Sequence, residues 1–128
     1  MNVSREQALF ELLTEASERG ITIRSDAEAE ELLDWAAMRV GQPPERYHAV
    51  TLGQDIFVRA AYAGDIRVLR EEMIHVEQQR AGIGTDEILE AEIEARQLMI
   101  RNRHRWSFTN HEIRAIIEEL RLLSRRAR

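Results

Sequence analysis

Cysteine is absent from this chain of 128 residues, and so is lysine. Without cysteine there is no disulfide framework, no thiolate metal site and no thiol nucleophile, a pattern that fits a reducing compartment. All 18 basic residues are therefore arginine, which GC-rich coding explains most simply. Proline occurs only as the pair Pro43-Pro44. No apolar run approaches the length that spans a bilayer. The N-terminus lacks the basic-then-apolar order of a signal peptide, so the expected location is the cytoplasm, or secretion or delivery by a carrier system.

What is present suits one folded domain over residues 1–128. The 44% hydrophobic and 32% charged composition is that of a globular protein and excludes a disordered one. The formal charge of -5 hides an asymmetry, because nine arginines face only Glu112, Glu118 and Glu119 from Arg96 onward. An acidic body with a basic helical end docked on it accounts for this. A nucleic-acid surface is disfavoured, since no aromatic residues are interleaved with the terminal arginines.

Spacing and punctuation predict a mainly α fold of the α+β kind, with about five helices. Ser4 with Gln7 resembles a capping box that opens a helix through Ala8, Leu9, Leu12, Leu13 and Ala16, stopped at Gly20. Ile21–Arg24 is a short β-branched run, a strand or an extended linker. Ser25 with Glu28 is expected to cap a second helix bearing Ala29, Leu32, Leu33, Ala36, Ala37 and Val40. Trp35 is expected in its core. Ala49–Leu52 and Ile56–Arg59 flank Gly53-Gln54-Asp55, which suggests a hairpin or a strand after a tight turn. Asp65 is a plausible cap for a central helix ending near Gly82. Thr85 or Asp86 would cap the next, and Thr109 with Glu112 would open the last.

The central helix carries the candidate chemistry. At 100° per residue, Ile66, Leu69, Met73 and Val76 form one apolar stripe, and Glu71, His75 and Gln78 fall roughly opposite. Glu72 and Gln79 lie beside them. Residues one turn apart can grip one cation, so Glu71 and His75 could share a metal while Glu72 reaches a water on it. The same periodicity also suits a solvated polar face opposite a core stripe.

The block Thr51-Leu52-Gly53-Gln54-Asp55-Ile56-Phe57, then Tyr62, then Leu69-Arg70-Glu71-Glu72-Met73-Ile74-His75-Val76-Glu77-Gln78-Gln79 resembles bacterial zincin-like metallopeptidase domains. Such domains occur in polymorphic toxins and beside extracellular contractile injection systems. Their pattern is a T-x-G-x-D-I-F strand followed by a helix reading L-x-H-E-x-x-H-x-x-Q-Q. The match spans roughly residues 50–80 and extends loosely to Glu92-Ile93-Glu94-Ala95, similar to the family's E-x-x-A. Glu71 stands where the family has its first histidine.

The resemblance implies a helical scaffold over 1–45 and a zincin-like core over 46–128. It implies Glu71, His75 and Glu92 as metal ligands and Glu72 as general base. Glu94 is the reserve third ligand, and His104 or His111 could stand in for Glu92. The metal implied is zinc first, with manganese or iron favoured more than usual by two carboxylates and one imidazole. The substrate would be a protein or peptide, and an immunity protein or carrier would be the partner. Three functions follow: a metallopeptidase-like hydrolase acting as an effector, an inactive zincin-derived protein-binding module, and a nuclease-type toxin. The last ranks lowest because an acidic body repels nucleic acid.

Overall fold

Ten short segments order the chain in a computed structural model that describes residues 4–84 and 87–127. They are α1 (Arg5–Glu18), β1 (Thr22–Arg24), α2 (Ala27–Val40), a 3-10 turn (Pro44–Arg46), β2 (Ala49–Leu52) and β3 (Asp55–Val58), followed by a second 3-10 turn (Ala60–Tyr62), α3 (Ile66–Arg80), α4 (Ile88–Arg101) and α5 (Asn110–Arg126). The protein is mainly helical with one small sheet, as the spacing predicts.

The caps explain where the helices begin. Ser4, Asp65 and Thr109 each accept a hydrogen bond from the backbone N–H three residues on. Thr109 and Glu112 complete a reciprocal capping box. The cap of α2 is Asp26, one residue beyond the expected Ser25, and its carboxylate accepts from Ala29 N–H. Thr85 and Asp86 lie outside the described residues. Thr109→Ala should cost about 1 kcal/mol, read as a lower denaturant midpoint with an unchanged slope.

The strands run in the order β1-β3-β2, with β1 parallel and β2 antiparallel to β3. The extended run after Gly20 is thus a strand. Leu52 pairs with Asp55 across Gly53-Gln54. Gly53 at φ +65 supplies the positive dihedral that a two-residue hairpin turn needs at its first position.

Two apolar clusters meet on α3. One joins Ala8, Leu12 and Ala16 of α1 to Ile56 and Val58 of β3 and to Ile66, Leu69, Met73 and Val76. The other joins Ile74 to Ala95 and Met99 of α4 and Ile116 of α5. The α3 stripe is buried as its period predicts, but the opposite face is covered too. Glu72 and Gln78 are buried, so the solvated-face alternative does not describe them.

The buried stripe of α2 is Ala29, Leu33 and Ala37. Trp35 lies two residues, or about 200°, from Leu33 and is 56% exposed, with the Arg39 guanidinium 5.2 Å over its ring. The expected core position for it is therefore corrected, and Val40 is exposed as well.

Two anchors position the loops around α3. Arg59 donates to the Tyr47 and Pro44 carbonyls and to Glu30 and Asp34, which ties the segment before β2 to α2. Gln79 donates to the Thr51 carbonyl at 3.0 Å and accepts from Gly53 N–H at 2.8 Å, clamping the hairpin to the end of α3. Gln79→Ala should cost about 1–3 kcal/mol, measurable by urea denaturation.

Candidate metal centre

Three elements bring the polar residues together: β2 beneath, α3 in the middle and α4 alongside. They border an open groove of about 1100 Å³ whose walls include Tyr47, Thr51, Glu71, Glu72, His75, Glu92 and Arg96. One ligand atom from each of Glu71, Glu72 and His75 lies within 4.8 Å of the others, so this group could hold a metal ion. Glu92 is not part of that group of three, but its Oε1 lies 3.3 Å from His75 Nε2. The side chains of α3 and α4 thus converge at the groove.

Each carboxylate has one oxygen held by the protein. Glu71 Oε1 faces Arg67 at 3.3 Å and Arg96 at 3.4 Å. Glu72 Oε2 accepts from Thr51 Oγ1 at 3.0 Å, and the same hydroxyl reaches the Glu72 carbonyl at 3.1 Å. Glu92 Oε2 is paired with Arg96. Among the described residues this leaves Oε2 of Glu71 and Oε1 of Glu72 without a protein partner, and turns Oε1 of Glu92 toward the imidazole.

Gln78 fixes the imidazole. Its Nε2 donates to the Ala91 carbonyl at 3.0 Å and to Glu94 at 2.9 Å, so its Oε1 is the atom that accepts from His75 Nδ1–H at 2.8 Å. In the neutral ring the lone pair is then on Nε2, the nitrogen that faces Glu92.

The pKa values follow from this crowding. Burial pushes the Glu72 carboxyl up to about 7, against the opposing pull of His75. Burial alone would lower His75, but the Glu92 hydrogen bond and the Glu72 charge prevail and hold it at about 9. For Glu92 burial is outweighed by His75 and Arg96, which keep it below the usual carboxylate range. Desolvation, and then the Glu72 charge, raises the Tyr47 phenol, which stays protonated.

Four acids, Glu71, Glu72, Glu92 and Glu119, share this network with Arg67 and Arg96. Two negative charges remain to be balanced. A proton on His75 and one on Glu72 would balance them, and so would one divalent cation.

The reserve residues lie elsewhere. Glu94 is occupied by Gln78, while His104 and His111 are exposed and away from the groove. Neither Thr51 nor Arg96 carries a site role in the sequence pattern. The Glu92–Arg96 spacing of four is the one local signal for an ion pair there. What brings Thr51 to the site is its register in β2, which local pattern does not encode. Compared with protein-family models, curated proteins and solved structures, the chain matches none of them.

Proposed function

We propose that the protein is a metal-dependent hydrolase of the metallopeptidase kind, with Glu71, His75 and Glu92 as ligands and Glu72 as general base. The observation that carries this reading is the cluster at the groove: donor atoms of Glu71, Glu72 and His75 within 4.8 Å, with Glu92 3.3 Å from the imidazole. The donor set suits a divalent ion. Two charges need neutralising, and each acid has one oxygen anchored by an arginine or a hydroxyl. A bound zinc, manganese or iron ion would polarise a substrate carbonyl and acidify a water.

The chain's own residues supply the rest. Glu72, with its carboxyl at about 7, can take up and release a proton near neutral pH. Thr51 holds one of its oxygens, leaving the other to meet water or substrate. Gln78 keeps His75 Nε2 turned toward Glu92, and Arg67 and Arg96 steady Glu71. On this reading the substrate is a protein or peptide, the setting is that of a delivered effector, and an immunity protein or carrier is the partner.

One observation favours the second reading, an inactive protein-binding module. Arg67 and Arg96 already compensate half of the four acids, and protons on His75 and Glu72 suffice for the rest. Titration of zinc and of manganese at mildly alkaline pH separates the two. The hydrolase reading expects one site, weakened more than tenfold by His75→Ala, together with peptide cleavage that a chelator stops. Absence of binding by either metal rejects it and leaves the module.

A further inference from the structure

A second cavity, of about 300 Å³, lies on the other side of Gln78 from the groove, between α1, α3 and α4. That volume is where small-ligand clefts begin, at about 300 Å³. Its walls join Met73, Ile74, Leu98 and Trp106 to Arg19, Arg70 and Arg105 and to three acids. Those acids are already engaged: Glu15 with Arg19 and Arg70, Glu77 with Arg19 and Arg80, and Glu94 with Gln78.

Arg70 is the unusual member. It is 6% exposed, its guanidinium lies 4.8 Å over the Trp106 ring, and one end is paired with Glu15. Its Nε is buried with no hydrogen-bond partner among the described residues. A buried donor left unpaired costs stability, and native structures seldom keep one without a reason. Burial lowers the Arg70 pKa, the Glu15 pair opposes that, and the positive charges of Arg105 and Arg19 lower it further. Arg105 is exposed and has no ion pair among the described residues, whereas Arg19 pairs with Glu15 and Glu77. One corner of the cavity therefore sets Arg105, which has no ion pair among the described residues, near the Glu15-paired Arg70 and beside an indole.

We propose that this cavity binds a small carboxylate with an apolar or aromatic body. The carboxylate would sit at the Arg70–Arg105 corner, and the body would lie against Trp106, Leu98 and Met73. An anion there relieves the repulsion between the guanidiniums and gives Arg105 a partner. The apolar wall selects against inorganic anions, which would gain nothing from it.

The test is an NMR titration of the full chain with 3-phenylpropionate, indole-3-acetate and hexanoate, following the indole N–H signals of Trp106 and Trp35. The expected result is a saturable shift of Trp106 in the millimolar range or below with at least one of the three, while Trp35 stays still. The uncharged 3-phenylpropan-1-ol and inorganic phosphate should fail to reproduce it. Arg105→Gln, at an exposed position that the fold tolerates, should weaken binding by about tenfold or more. No saturable shift with any of the three acids overturns the proposal. So does an equal response to the alcohol, or binding unaffected by Arg105→Gln.

Discussion

Glu72→Gln is expected to make the metal-free fold more stable in alkali and, if the protein is the proposed hydrolase, to slow turnover by about two to four orders of magnitude. The two effects have one origin. The Glu72 side chain is buried, and its carboxyl sits at about 7 in the folded protein against an ordinary 4.5. A folded value above the unfolded one means the stability from this group is complete below about 4.5 and is lost as pH climbs through 7. The loss by pH 8 is about 3 kcal/mol at most, because each tenfold change in proton affinity on folding is worth about 1.4 kcal/mol. Glutamine has the same shape, still accepts the Thr51 hydroxyl and carries no charge to bury. Urea denaturation in chelator should therefore show the variant matching the parent near pH 4.5 and exceeding it above pH 7. A variant less stable than the parent in alkali would mean that the folded protein holds Glu72 as a favourably paired anion. Turnover tests the other half: full activity in the variant removes Glu72 as base.

The second large effect is competition between metal and protons. His75 is held at about 9, above its ordinary 6.5. Its protonated form stabilises the metal-free protein fully below about 6.5, and that contribution is lost as pH rises through 9. A metal ion needs the deprotonated ring, so its stabilisation runs the other way and grows with pH. Metal affinity should rise about tenfold per pH unit between pH 6.5 and 8.5, with about one proton released from His75 per ion. Calorimetry in buffers of different ionisation enthalpy reads the proton count directly. Binding that ignores pH would place the metal away from His75. His75→Ala should abolish the slope along with most of the affinity.

The sequence made some of this geometry legible and hid the rest for physical reasons. Period 3.6 exposes the stripe of Ile66, Leu69, Met73 and Val76, because burying that stripe is what makes α3 the central helix. Spacing of four likewise puts Glu71 and His75 on one turn. Periodicity misleads on the far side of α3, since α4 and β2 cover the face that a two-sided helix would leave wet. Adjacent Ser25 and Asp26 are equally good caps by type, and in the fold it is Asp26 that accepts from Ala29 N–H. Trp35 illustrates the opposite error. Size argued for the core, whereas its angle on the wheel of Ala29, Leu33 and Ala37 points it outward. Thr51 reaches Glu72 from 21 residues away, and Arg96 gathers Glu71, Glu92 and Glu119 from three helices. Contacts of that range depend on strand register and helix packing, which no local spacing records.

Whether Glu71, His75 and Glu92 close around one ion decides the matter. Anomalous scattering from crystals grown with zinc or manganese above neutral pH reads it directly. The account expects a single peak about 2.0–2.2 Å from His75 Nε2 and from one oxygen each of Glu71 and Glu92, with Arg96 still on the second oxygen of Glu92. A density map without such a peak at saturating metal, with His75 still donating to Glu92, would contradict it.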